Sequence, residues 1–117
     1  MAIQKSMLAN IGGVTHANAY TQIAEIRITT LSTQHHVQIA WESYANAAAR
    51  SKGNDEARQM PIMGGTYMVP ADDIATYFAD SVLLPADKSL WGQAYTWLKT
   101  QNDVGLDIDW TTGTTDV

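Results

Sequence analysis

The sequence predicts an α+β fold. A small antiparallel sheet of about three strands carries two C-terminal helices packed on one face, with an extended N-terminal arm before it and an acidic tail after it. Three observations lead there. Apolar and polar residues alternate through residues 20–31 and again through 36–44. After Val69 the apolar spacing changes to that of a helix. The regular succession of strand and helix that a parallel sheet needs is missing, as is any repeat of 20 to 50 residues.

Residues 1–19 mix Gly12-Gly13 with asparagines and small apolar residues without a clear period, which reads as an arm that a partner orders. The domain then spans 20–101. In its first strand Ala24, Ile26 and Ile28 lie on one side and Glu25, Arg27 and Thr29 on the other. In the second, Val37, Ile39 and Trp41 oppose Gln38, Ala40 and Glu42. The short polar linker Ser32-Thr33-Gln34-His35 makes the pair an antiparallel hairpin. Small residues from Tyr44 to Arg50 lead into a polar, glycine-containing loop over residues 51–56. Residues 60–69 read as a third strand, with Pro61 favouring an edge and Gly64-Gly65 marking a bulge or a close backbone approach.

Pro70 suits a first helical turn, Asp72 and Asp73 complement the helix dipole, and Ile74, Tyr77 and Phe78 form an apolar stripe. Pro85 opens a second helix, with Asp87 in its first turn, a stripe of Leu90, Ala94, Trp97 and Leu98, and Lys99 at its C-terminal end. Residues 102–117 hold Asp103, Asp107, Asp109 and Asp116 and no lysine or arginine, and read as a mobile tail.

Composition narrows the chemistry. With 117 residues the chain is sized for one domain. It has no cysteine, so disulfides, thiolate metal sites and a cysteine nucleophile are excluded. The first ten residues lack the pattern of a secretory signal, and no apolar run approaches the ~20 residues that span a bilayer, so no membrane partner is expected. The net charge is −5 and the seven basic residues are scattered, which argues against nucleic acid. Four of the five net negative charges fall in the tail, leaving the remainder nearly neutral and suited to packing against protein.

No catalytic, cofactor-binding or metal-binding set emerges. His35 and His36 are adjacent and point apart, and His16 is distant, so they read as solvated. Asp103, Asp107 and Asp109 lack the spacing of a calcium loop. Neither glycine pair belongs to a phosphate-binding fingerprint, and no serine sits in a nucleophile motif. The four tryptophans and five tyrosines are the richest feature. Trp41, Trp97 and Tyr77 read as core. Trp91, Tyr95 and Trp110 fit the core pattern less well and are the candidates for a contact surface.

Three segments carry a resemblance: Ala17-Asn18-Ala19-Tyr20-Thr21-Gln22-Ile23, the stretch from Tyr44 to Arg50 after a strand, and Gln93-Ala94-Tyr95-Thr96-Trp97-Leu98-Lys99-Thr100. Together they resemble small virion-associated proteins of tailed bacteriophages, in which an AY-x-R-I beginning, a hairpin and a closing QAY-x-YLKT helix recur in that order. The likeness covers roughly residues 17–100. Gln22 stands where the group often has arginine and Trp97 where it often has tyrosine, and the chain differs after Thr100. The resemblance implies a non-enzymatic component of the virion, in the tail or head-to-tail region, made in the bacterial host cytoplasm. Its partners would be copies of itself and other virion structural proteins, and it transfers no catalytic residue. A capsid decoration or cement protein is the neighbouring alternative. From the residues alone, a small carbohydrate-binding module stacking a glycan on Trp91, Tyr95 or Trp110 is the alternative of another class.

Overall fold

The computed structural model describes residues 2–8, 13–31, 34–48, 61–83 and 89–117. Strands β1 (Ile3–Leu8), β2 (Thr15–Leu31), β3 (Gln34–Tyr44) and β4 (Met63–Val69) come first. A short helix α1 (Ala71–Asp73) widens into a π-helical turn at Ile74–Phe78, and α2 (Asp80–Leu83) and α3 (Leu90–Leu98) follow. Three two-residue strands end the chain: β5 (Asn102–Asp103), β6 (Ile108–Asp109) and β7 (Thr115–Asp116).

This architecture overturns the expected α+β arrangement. The protein is mostly β, with a five-stranded antiparallel sheet in the order β4-β3-β2-β1-β7 and a two-stranded sheet of β5 and β6. Its helices are short. The N-terminal arm is absent as such, because residues 3–8 are β1 and residues 15–19 are the first part of β2. The acidic tail is equally ordered: β7 pairs with β1, and Ala2 and Val117 exchange backbone bonds of 3.1 and 3.0 Å. Sequence periodicity misses β1 because Lys5 stands between the buried Ile3 and Met7 and Leu8 is exposed, so its apolar residues do not alternate. It misses β7 because two residues have no period.

The β2–β3 hairpin organises the sheet, running in register from Tyr20 opposite Tyr44 to Leu31 opposite Gln34. One interruption governs its faces. The pairing shifts between Ile23 and Glu25, so Ala24 is an extra residue. Odd-numbered Ala19, Thr21 and Ile23 face the core before it, and even-numbered Ile26 follows after it. Ala24 is therefore exposed and does not share the side of Ile26 and Ile28 that a strict alternation gives it. On β3, Val37, Ile39, Trp41 and Ser43 are buried in regular alternation. The buried hydroxyls of Thr21 and Ser43, cross-strand partners, bond to each other at 2.7 Å.

β4 is an edge strand and pairs with β3 without a break, so Gly64-Gly65 is a close approach and not a bulge. A Cβ on Gly65 would lie 3.0 to 3.1 Å from the indole of Trp41, its cross-strand partner. The glycine makes room for the ring. Above the sheet α3 buries Ala94, Tyr95, Trp97 and Leu98. Its N-cap is Ser89, whose hydroxyl accepts the Gly92 N–H at 3.0 Å, satisfying one of the helix's open donors. Pro85 and Asp87, expected in its first turn, lie outside the described residues, as do Gly12 and the loop 51–56.

The rest of the core roof is aromatic. Trp41 meets Trp110 edge-on with centroids 5.1 Å apart, and Tyr67 lies 6.1 Å from Trp41 and 6.3 Å from Trp97. Each polar tip but one is bonded. The Trp97 indole donates to Asp73 at 2.8 Å, the Trp110 indole to the Tyr67 hydroxyl at 3.0 Å, and that hydroxyl to Asp103 at 2.7 Å. Trp41 Nε1 is buried and meets no acceptor in hydrogen-bonding geometry, although it lies close enough to Tyr67 to favour the ionised phenol slightly.

Candidate functional site

The three aromatic candidates separate once the fold is formed. Trp110 is fully buried and tied to Tyr67, so it is core and cannot offer a contact surface. Tyr95 is 5% exposed, and its hydroxyl accepts the backbone N–H of Ile23 at 2.9 Å, so it too is withdrawn from the surface. Trp91 is 45% exposed and so remains accessible for contact. The difference follows from α3: residues 94, 95, 97 and 98 face the sheet, while residue 91 sits in the first turn beyond the edge of the covered area.

What lies beside Trp91 decides its use. With Gln22, Ile23, Ala24 and Tyr95 it lines a shallow groove of about 380 Å³ against β2. Here the sheet changes width. β1 covers β2 only as far as Thr21, opposite Ile3. Tyr95 then takes the next outward N–H, at Ile23. From Ala24 to Leu31 no strand pairs with β2 on this side among the described residues. Glu25, Arg27, Ile28 and Thr29 are all exposed along it. Sequence reading placed this stretch in a hairpin but missed its open edge, because where a neighbouring strand stops is a tertiary fact. The signal available was the length of β2, which exceeds that of β1.

The opposite face of the same hairpin is polar. Glu25, Arg27, Gln38, Ala40 and Thr66 line a shallow depression of about 200 Å³, and Arg27 Nε bonds Glu25 at 3.1 Å across it. Both side chains are more than half exposed, so the pair adds little stability. At the other flank of the sheet, no strand among the described residues pairs with the outer edge of β4, where Met68 is exposed.

Several titratable groups among the described residues have structural occupations. Burial, then the bond to the Asp103 carboxylate, pushes the pKa of Tyr67 well above the ordinary tyrosine value, with the Trp110 indole pulling the other way. Burial likewise raises that of Tyr95, opposed by the Ile23 N–H. Asp103 also accepts the Leu106 N–H at 3.0 Å and so fixes the turn between β5 and β6. Asp109 accepts the hydroxyl and N–H of Thr111, which hold its carboxyl below the usual range. Asp116 pairs with Lys99 at 3.0 Å. Among the described residues no three histidine, aspartate or glutamate side chains are placed to hold a metal ion. His36 lies in β3 opposite Thr29, and His16 in β2 opposite Met7.

What the site offers is therefore binding chemistry: a run of strand edge with open backbone groups, beside an exposed indole. No helix among the described residues is long and apolar enough to cross a membrane. No protein-family model matches the chain, and no curated protein or solved structure matches it either.

Proposed function

We propose that this chain is a non-enzymatic structural subunit of a tailed-bacteriophage particle, in the tail or head-to-tail region, and that it works by packing against other protein. The observation that carries the reading is the edge of β2 from Ala24 to Leu31, unpaired among the described residues and beside Trp91, because a free strand edge is a ready template for a neighbouring chain. The resemblance supplies the particle. Two of its three segments, residues 17–23 and 93–100, meet in the fold through the Ile23–Tyr95 bond, so the likeness falls on residues that shape this edge.

Several acidic and aromatic groups are spent on structure, as the Tyr67–Asp103 and Trp97–Asp73 bonds illustrate. A glycan platform is left with Trp91 alone, since Tyr95 and Trp110 are inside. The test is mass spectrometry of gradient-purified particles from the phage that encodes the chain. A fixed copy number per particle is the expected result, and immunogold labelling then separates tail from capsid surface. Particles free of the chain, with all of it in the soluble lysate, would overturn the proposal.

A further inference from the structure

The outer edge of β4 specifies what fits against it. The first constraint is backbone direction. The Ser43 carbonyl turns toward β4, where it accepts the Ile62 N–H at 2.7 Å, and the Ile23 N–H turns away from β3 to Tyr95. Both observations put the backbone groups of Ser43 and Trp41 on the β4 side, because bonded and open pairs alternate along an antiparallel ladder. β4 pairs with β3 without a break, so Gly65, Tyr67 and Val69 bond inward, while Gly64, Thr66 and Met68 turn their N–H and C=O groups outward. Among the described residues no strand receives them.

The second constraint is where this edge ends. At one end the Ile62 N–H is taken by Ser43. At the other, Pro70 has no N–H, and its carbonyl already accepts from Asp73 and Ile74, both at 3.0 Å. The outward run is therefore Gly64 to Met68, and its middle is Thr66. A second copy of β4, antiparallel about a two-fold axis at Thr66, sets Thr66 against the partner's Thr66 and Gly64 against the partner's Met68, the latter twice. Each of these pairs exchanges two backbone bonds. Moving the axis to Gly65 or Tyr67 loses one such pair, because the next would fall on Ile62 or Pro70.

The third constraint is the surface of the strand. From Met63 to Val69 it has no charged residue and no proline, the devices that keep an edge from pairing. Met68 is 52% exposed. In the Thr66-centred register it lies across from Gly64 of the partner subunit, where a Cβ would stand 3.2 Å from the Trp41 carbonyl oxygen and none is present. Each copy thus lays an exposed methionine over bare backbone of the other.

From these we infer that the chain forms a two-fold dimer through β4, antiparallel about Thr66, which joins the two five-stranded sheets edge to edge. The inference deepens the reading of the chain as an assembling subunit and rests on it for its biological sense, while its geometry stands on β4 alone. The paired stretch is short, so the dimer is expected as a concentration-dependent equilibrium.

Sedimentation equilibrium of the purified full chain over a concentration series tests it. Thr66→Lys sets two lysines against each other at the axis and should raise the dimer dissociation constant by about fivefold or more. Thr66→Glu should do the same. An equal mixture of T66K and T66E should dimerise again, now as a mixed pair, which a folding defect in either variant would not produce. In the unaltered chain the amides of Gly64, Thr66 and Met68 should exchange more slowly as concentration rises, a reading that needs no variant. A chain that stays monomeric at every concentration overturns the inference. So does a dimer indifferent to T66K but broken by Ile28→Lys, which would place the contact on β2. Either result leaves the particle reading standing, since that depends on finding the chain in virions. Absence from virions, in turn, would not touch a dimer that responds to T66K.

Discussion

The hydroxyl of Tyr95, on α3, accepts the backbone N–H of Ile23 at 2.9 Å, at the point on β2 where β1 ends. A side chain thus closes a sheet edge for one residue before the edge opens again. Tyr95 is buried, so the phenol replaces water that cannot reach this amide. Tyr95→Phe leaves the N–H without a partner, at an expected cost of about 1–3 kcal/mol in urea unfolding. The Ile23 amide should also lose protection in hydrogen exchange. An unchanged urea midpoint would mean that solvent already reaches that amide.

Gly65 and Trp41 make a sharper steric test. Gly65→Ala sets a methyl 3.0 to 3.1 Å from three indole atoms of a side chain that is itself buried. Overpacking of this kind costs about 1–3 kcal/mol. Gly105→Ala is the control, because its nearest contact is Asp103 Oδ1 at 3.5 Å, an ordinary separation. It should remain within about 0.5 kcal/mol of wild type. Near-UV circular dichroism should change for the first variant and not for the second.

Alkali should loosen the protein in a defined window. The pKa of Tyr67 is raised in the fold above its ordinary 10.0, and that of Tyr95 is raised too. The folded protein keeps these protons where the unfolded chain has lost them. Their contribution to stability is therefore complete below pH 10 and declines as the pH rises beyond it. Urea midpoints measured from about pH 8 to about pH 11 should fall only in the upper part of that range. Tyr67→Phe should flatten the fall while lowering stability at neutral pH, because Asp103 and the Trp110 indole lose a partner.

The last three residues provide a fourth test. Removing residues 115–117 deletes β7, both Ala2–Val117 backbone bonds and the Lys99–Asp116 pair. At about 1 kcal/mol for a backbone bond, the loss should reach about 2 kcal/mol. It should also expose the outer edge of β1, so the amide of Ala2 exchanges faster. A truncated chain as stable as the full one would show that β7 adds nothing to the sheet.

How much of this was legible beforehand varies by element. Residues 36–44 alternate strictly, and β3 lies there because one buried face imposes a period of two. The stripe Leu90, Ala94, Trp97 and Leu98 is likewise the inward side of α3. Residues 24–28 alternate as well, but the extra residue at Ala24 moves Ala24 itself to the surface. Trp110 looked peripheral in a polar tail, yet it is among the most deeply buried side chains, held by a hydroxyl 43 positions away. Nothing near position 110 announces that partner.

The sequence by itself determined the local elements: the hairpin strands, the apolar side of α3 and the turn residues around them. These depend on spacing within a few residues, where a buried face leaves its period. Tertiary structure alone decided that β1 and β7 join the sheet, that Tyr95 and Trp110 are inside while Trp91 is not, and that β2 outruns its neighbour. Those outcomes depend on which distant segments pair and where each pairing stops. Strands of two residues, or strands interrupted by a bulge, carry too little pattern to record it.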